Sequence, residues 1–283
     1  MTEHAITGTT QLVGLIGWPV SHSRSPRMHN AAFAALGLDW AYVPLPAPPD
    51  RVPQAVRGLV ALGFRGANVT VPHKQTVIAQ LDVLTPAARA AGAVNTITVR
   101  ADGTLCGDTT DGRGFLADLR EQCVTPRRAL LLGSGGAARS VAYALAETGV
   151  DVLVAARSVA KAAALCEALA SELPARAGRL TAHALPRDLR ACSADADLVI
   201  NATSLGLHAD DAMPWDPDVP FEPGQVMYDL VYTQVTPLMS LAARQGARAI
   251  GGLGMLVHQG ALALTQWTGL EAPIGVMRAA IED

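Results

Sequence analysis

Ala129-Leu-Leu-Leu-Gly133-Ser134-Gly135-Gly136-Ala137-Ala138-Arg139 is the stretch whose reading decides the fold. A short apolar run, read as a buried parallel strand, meets a glycine turn and then an alanine-rich helix. The spacing is G-x-G-x-x-A, with Gly133, Gly135 and Ala138 at the three fixed places. In a dinucleotide-binding turn the first glycine permits the sharp bend. The second lets the backbone approach a pyrophosphate, and the third position keeps the helix close to the sheet. The helix predicted over Gly136 to Thr148 aims its free N–H groups and positive dipole end at the phosphates.

The next strand refines the cofactor. Asp151-Val-Leu-Val-Ala-Ala156 reads as that strand, and an NAD site usually ends it with an acidic residue that holds the ribose hydroxyls. Here Ala156 is followed by Arg157 and Ser158, with Lys161 one turn on. Two cations and a hydroxyl suit a ribose 2′-phosphate, and no carboxylate stands there to repel it. The expectation is NADP rather than NAD. The plainer alternative, solvated charges at a helix start, is disfavoured because cations oppose the dipole at that end.

Working outward, 283 residues suit two domains of ordinary size. The net charge of −3 with scattered Lys and Arg argues against a nucleic-acid surface. Met1-Thr-Glu-His-Ala5 shows no basic region before an apolar run, so no secretory signal is expected. Gly251 to Leu264 comes nearest to a membrane span, and His258 and Gln259 interrupt it. Cys106, Cys123, Cys166 and Cys192 are widely separated, as expected of reduced thiols in a cytoplasmic protein. No histidine pair has i, i+4 ligand spacing and no cysteines cluster, so no metal site is expected.

Before the glycine turn, strands and helices alternate. Gln11 to Ile16 reads as a strand running into Gly17-Trp-Pro19-Val-Ser21-His22-Ser23-Arg24-Ser25-Pro26. Ser25 is expected to cap the following helix, with Pro26 at its first position. Three serines in one loop offer hydroxyl donors to a small polar ligand. Trp40 to Pro44 and Gly66 to Val71 are further strands, with a helix from Asp50 to Leu62 between them. Pro72-His73-Lys74 follows the second of these, and open α/β sheets bind ligands just beyond the carboxyl ends of their strands. Thr85-Pro86 opens a short helix ending at Gly92. Val94 to Arg100 and Thr104 to Asp108 form a hairpin around Asp102-Gly103. Thr109-Thr110-Asp111-Gly112 then opens a helix to Gln122.

Beyond the glycine turn, Leu198 to Gly206 is a strand with a polar end, residues 208–224 a long surface loop, and Gln225 to Leu230 a strand. Thr236-Pro237 caps a helix ending at Gly246, and Arg248 to Ile250 is the last strand. Helices over Gly254 to Trp267 and Pro273 to Ile281 close the chain, outside the alternation.

Seven motifs in order carry a resemblance. Gly17 to Asn30, Asn68-Val-Thr70-Val-Pro-His-Lys74, Gly92-Ala-Val-Asn95-Thr, Asp108-Thr-Thr-Asp111-Gly, Gly133-Ser-Gly-Gly-Ala137, Asn201-Ala-Thr203-Ser204 and Gly252-Leu-Gly-Met-Leu-Val-His-Gln259 together resemble the shikimate/quinate dehydrogenase family. The match runs from about Val13 to Met277. It implies two α/β domains with a cleft between them. Residues 1–110 plus 252–283 would be a discontinuous substrate domain completed by the last helices, and residues 111–251 a Rossmann-type NADP domain. Ser23 and Ser25 would hold the substrate carboxylate, and Thr70, Asn95, Asp111 and Gln259 the ring hydroxyls, with Tyr232 nearby. Lys74 and Asp111 would be the catalytic pair. Gly133, Ser134, Gly135, Gly136, Ala137, Arg157, Ser158, Lys161, Thr203, Leu230 and Gly252 would line the NADP site. His22 and His29 would orient the serine loop, with His73 and His258 as bystanders.

The resemblance implies NADP-dependent reduction of 3-dehydroshikimate to shikimate, in aromatic amino-acid biosynthesis. A lysine amine in water is an ammonium at neutral pH, which suits a proton donor to the new alkoxide. A neighbouring carboxylate favours that charged form. The reverse reaction needs the neutral amine, so oxidation is expected to run faster at high pH. Both members of the pair remain candidates for moving the proton. Two departures from the family's pattern stand out. Ala156 replaces a common Asn before Arg157, which removes one candidate contact to the adenosine ribose or its phosphate. Arg24 stands where lysine is common. A quinate/shikimate dehydrogenase and a non-catalytic NADP sensor are the alternatives, and the presence of both Lys74 and Asp111 argues against the sensor. The sequence leaves monomer and homodimer equally open.

Overall fold

The computed structural model describes residues 6–208 and 210–282. The N-terminal reading over Met1 to Ala5 lies outside the described residues. The chain divides into two compact units: the chain up to Thr110 together with that from Val257 on, and Asp111–Leu256 between them.

The first unit runs β1 (Gln11–Gly17), α1 (Ser25–Ala35), β2 (Trp40–Pro46), α2 (Val52–Ala61), β3 (Gly66–Val69), β4 (Val83–Leu84), α3 (Pro86–Ala91), β5 (Thr96–Val99) and β6 (Leu105–Asp108). Its strands form one six-stranded mixed sheet in the order β2-β1-β3-β5-β6-β4. β1 pairs in parallel with both β2 and β3, and β5 is antiparallel to β3 and β6. The β5–β6 hairpin turns through Gly103, whose φ of +85° favours glycine. Ile16, Val56, Leu59, Val69, Val77 and Ile97 are fully or almost fully buried on one side of the sheet. Thr85 caps α3 by accepting the Ala88 N–H, and Gly92 ends it in the left-handed conformation. Ser25 does not cap α1. Arg24 stands at the cap position without a side-chain bond, Ser25 is already helical, and its N–H donates to Ser23 Oγ at 3.2 Å. The serine oxygen that meets a backbone donor is thus two residues upstream of the expected one.

The second unit runs α4 (Asp111–Glu121), β7 (Arg128–Leu132), α5 (Gly136–Glu147), β8 (Asp151–Ala156), α6 (Val159–Ala170), β9 (Leu180–Ala184), α7 (Leu189–Asp195), β10 (Leu198–Asn201), β11 (Val226–Asp229), α8 (Pro237–Arg244) and β12 (Arg248–Gly251). Its sheet has the order β12-β11-β10-β7-β8-β9 and every neighbouring pair is parallel. Counted from β7, that is the doubly wound order 3-2-1-4-5-6 of dinucleotide-binding folds. Successive β7 residues feed opposite cores: Ala129 and Leu131 pack with Phe115, Val141 and Leu165, while Leu130 and Leu132 pack with Leu189, Trp215 and Leu238. Both faces are covered, which is why the strand reads as an unbroken apolar run.

Two expectations are corrected here. β9 and α7 have no counterpart in the sequence reading, because Thr181 and His183 interrupt the apolar pattern of a half-buried edge strand. Residues 208–224 are not simply a surface loop: Trp215, Val219 and Phe221 are buried, and the two rings stack at 4.6 Å.

The chain ends with α9 (Leu253–Thr268) and α10 (Ile274–Ala279). From α9, Trp267 donates to the Ile97 carbonyl at 3.0 Å and Gln266 to Asp108 at 2.5 Å, so the closing helix completes the first unit. Among the described residues, no helix is long and apolar enough to cross a membrane.

Candidate functional site

In the first unit, the residues singled out from sequence gather where β1 and β3 end and β5 begins. The Thr70 N–H donates to the Ile16 carbonyl and the Trp18 N–H to the Val71 carbonyl, so the loops after β1 and β3 lie against each other. Ser23 belongs to the first loop and Ser25 opens α1 at its end, while Thr70 and Lys74 belong to the second. The Val94 N–H donates to the Lys74 carbonyl at 2.7 Å, which ties the lysine backbone to the residue before Asn95. His73 is buried and its Nε2 meets the Ala47 carbonyl at 2.7 Å, so it donates there and holds the Lys74 loop down. It is a structural lock rather than a bystander.

Asn95 is the centre of this cluster. Its Oδ1 accepts the Thr110 N–H at 2.7 Å, and a backbone N–H can only donate, so the amide orientation is fixed. Nδ2 is then the donor, to Thr110 Oγ1 at 2.9 Å and to Gln259 Oε1 at 3.0 Å. Accepting through Oε1 makes Nε2 the donor end of Gln259. Asn95, Thr110 and Gln259 are all buried, the first two flanking the β5–β6 hairpin and the third brought in by α9. Asp111, also buried, follows Thr110 directly and opens α4 in the second unit. Polar groups fixed in this way suit a small polyhydroxylated ligand.

His29 does not orient the serine loop through hydrogen bonds. It is fully buried, and among the described residues neither ring nitrogen has a partner. It stacks on Tyr42 with ring centroids 4.5 Å apart and planes 4° apart. Burial holds its pKa down to about 3, so the ring is a neutral packing surface. His22 is exposed, and His258 lies half-buried on α9.

The second unit collects its candidates at the carboxyl ends of β7, β8, β10, β11 and β12. The sheet order reverses at β7, and such switch points open a crevice for ligands. Gly133 turns with φ +112°, a conformation that favours glycine, and a Cβ there would stand 3.1 Å from the Ala202 carbonyl. Gly135 is different. Its backbone is ordinary and extended, and a Cβ would meet no atom of the described residues within 4 Å. None of those residues requires glycine at that position, whereas a pyrophosphate lying on the N-terminus of α5 would. Ser134, Gly136 and Ala137 complete the turn. At the end of β8, Arg157, Ser158 and Lys161 are exposed, and Ser158 caps α6 by accepting the Lys161 N–H. Among the described residues neither cation is held in an ion pair. These residues fit a dinucleotide carrying a ribose phosphate.

Thr203 lies beside the Gly133 turn and gives its N–H and hydroxyl to Asn201 Oδ1. The Leu230 N–H donates to the Asn201 carbonyl and the Gly252 N–H to the Val231 carbonyl, so Thr203, Leu230 and Gly252 are joined through one hydrogen-bonded edge. Tyr232 is half-buried on the loop after β11, in the second unit.

Sequence reasoning missed the residues beneath this edge. Asp229 accepts from Asn201, the Val231 N–H and Thr236, at 2.7 to 3.0 Å, and its pKa is raised by burial. A carboxylate ending an apolar strand was the available signal. In the first unit Asn68 and Tyr42 were passed over as parts of strands.

Three family models match along the chain. They are the shikimate dehydrogenase substrate binding domain over residues 15–97, shikimate / quinate 5-dehydrogenase over 116–208, and the shikimate 5′-dehydrogenase C-terminal domain over 252–282. A shikimate dehydrogenase (NADP(+)) of Rubrobacter xylanophilus is 47% identical, over 99% of both chains. One from Moorella thermoacetica is 49% identical, over 96% of this chain and 92% of its own. The crystal structure of the Thermus thermophilus enzyme, in complex with NADP(H) and shikimate, superposes with a TM-score of 0.85 at 36% identity, covering 96% of this chain and 98% of that one.

Proposed function

This chain belongs to the shikimate dehydrogenase family, and from that premise we propose that it reversibly reduces 3-dehydroshikimate to shikimate with NADP, a step of aromatic amino-acid biosynthesis. When bound, the dihydronicotinamide supplies the hydride. The residues of the chain supply orientation, phosphate recognition and the proton.

The observation that carries this reading is the tie between Lys74, Asn95 and Thr110. The Lys74 carbonyl is bound to the Val94 N–H, Asn95 follows, and its side chain fixes the peptide that leads into Asp111. In the reductive direction the Lys74 ammonium gives a proton to the carbonyl oxygen as that oxygen takes on negative charge. The Asp111 carboxylate accepts from a ring hydroxyl. Ser23 and Ser25 donate to the substrate carboxylate. Thr70, Asn95 and Gln259 read the hydroxyls, with Tyr232 a further substrate-binding residue. The second unit holds the pyrophosphate on the Gly133–Ala137 turn, the 2′-phosphate on Arg157, Ser158 and Lys161, and the nicotinamide end near Thr203, Leu230 and Gly252. A discontinuous substrate domain, residues 1–110 with 252–283, and a cofactor domain, 111–251, divide the two tasks. The four free cysteines agree with a cytoplasmic location, and the chain acts as a monomer or homodimer.

The test is purified protein with shikimate or quinate, crossed with NADP or NAD, followed by nicotinamide absorbance. Turnover is expected with shikimate and NADP. Turnover confined to quinate with NAD would overturn the assignment, and no turnover on any pair would mark a cofactor-binding sensor.

A further inference from the structure

Asn95 is held from below as well as from its own side chain. The Asn68 side chain on β3 is buried, and its Nδ2 donates to the Asn95 carbonyl at 3.1 Å and to Thr96 Oγ1 at 3.2 Å. A carbonyl can only accept, so the Asn68 amide has one orientation and its Oδ1 faces the other way. Tyr42 from β2 meets that oxygen at 2.9 Å and therefore donates its hydroxyl proton. The Thr96 hydroxyl in turn donates to Asn95 Oδ1 at 3.0 Å. The Tyr42 ring is clamped by the His29 stack, and its backbone N–H and carbonyl are both bound by the Asn30 side chain, at 2.7 and 3.0 Å.

We infer that Tyr42 is a positioning residue for substrate recognition, holding the Asn95 backbone carbonyl and the Thr96 hydroxyl in place through Asn68. The inference rests on the substrate role given to Asn95 above. The physical case is directional. The Tyr42 hydroxyl is the proton source that lets Asn68 present its amide nitrogen toward Asn95. Without it, Asn68 Oδ1 is a buried acceptor lacking that donor, and turning the amide over would set oxygen against the Asn95 carbonyl. Either response loosens the strand end from which Asn95 projects. An unmet buried acceptor has a cost large enough to show as about a tenfold change in an equilibrium. Tyr42 lies outside the ligand-reading set, so its effect falls on substrate binding rather than on proton transfer or on the cofactor.

The experiment compares wild type, Tyr42→Phe, Asn95→Ala and the double variant. For each, KM for shikimate, KM for NADP, kcat and the thermal midpoint are measured. Phe keeps the ring on His29 and removes only the hydroxyl. The expected result is a KM for shikimate raised about tenfold in Tyr42→Phe, with kcat and KM for NADP near wild type. In the Asn95→Ala background the same change adds nothing, because the path runs through Asn95. A loss of thermal midpoint in Tyr42→Phe with KM for shikimate unchanged would make Tyr42 merely structural and overturn the inference. So would an equal KM penalty with or without Asn95. An Asn95→Ala enzyme with unaltered KM for shikimate would overturn the role of Asn95 itself, and this inference with it. A KM rise in Asn95→Ala alone sinks only the part played by Tyr42.

Discussion

The recognition proposed for the two units draws on different materials. The first builds its site from buried side-chain amides and hydroxyls, Asn68, Asn95, Thr96, Thr110 and Gln259, joined by hydrogen bonds. The second builds its site from a bare backbone turn and from cations in water, Gly133 to Gly136 with Arg157 and Lys161. Rejecting the wrong arrangement of hydroxyls on a ring requires polar groups that cannot rearrange, because a misplaced ligand then leaves them unpaired. Holding a phosphate requires only convergent N–H groups and positive charge, which tolerate small shifts. The contrast predicts that damage to the first unit is specific and steep, and damage to the second graded, with loss of a cation that faces the 2′-phosphate rescued by changing the cofactor.

The largest effect should come from the amine. Lys74→Ala is expected to lower kcat by roughly 10²- to 10⁴-fold while KM for shikimate changes far less, read by steady-state kinetics. Equal losses in kcat/KM and substrate affinity would mean that Lys74 chiefly binds. The next effect sharpens the second half of the contrast. Arg157→Ala should raise KM for NADP by about ten- to a hundredfold and leave KM for NAD unchanged, since only NADP carries the phosphate. A matching penalty with NAD would assign Arg157 to the adenosine generally. Gly135→Val tests the turn itself. The chain offers room for the side chain, so the thermal midpoint of the free protein should hold while both cofactors bind more weakly.

The smallest effect concerns acid. His29 is neutral in the folded chain, with its pKa lowered from 6.5 to about 3. The unfolded chain takes up that proton below about pH 6.5 and the native one does not, so this group erodes stability as pH falls from 6.5 toward 3. Above pH 6.5 it contributes no pH dependence. His29→Leu should therefore shift the acid unfolding midpoint to lower pH by a fraction of a unit, followed by circular dichroism. No shift, or a shift upward, would show that the buried imidazole is not part of acid unfolding.

Much of this molecule was legible in its sequence, for reasons that differ by region. The second unit announced itself because a parallel sheet covered on both faces must be a series of apolar runs, and because Gly133 bends where other residues cannot. Caps at Thr85 and Thr236 were readable because each hydroxyl serves a backbone donor three residues on. What stayed hidden depended on partners distant in the chain. Tyr42 and Asn68 read as strand residues until the sheet set them side by side. Trp215 and Phe221 were masked by the Asp and Pro residues around them. His29 looked functional from its motif, yet only its flat face is used. Ser25 looked like a cap, yet the chain turns helical at Arg24 and passes that task to Ser23.

The closing helix has a bearing on how the molecule is made. α9 begins among residues that belong to the middle unit, and from Val257 on it belongs to the opening one. As the chain leaves the ribosome, the middle unit has all of its strands once β12 emerges. The opening unit, although translated first, still lacks the helix that brings Gln259 to Asn95 and Trp267 to the Ile97 carbonyl. The usual rule that the earlier-made domain matures first is therefore inverted. A nascent chain arrested within α9, just after Leu256, would have the middle unit whole while the first still lacked Gln259 and Trp267, and hydroxyl recognition would be the last competence acquired.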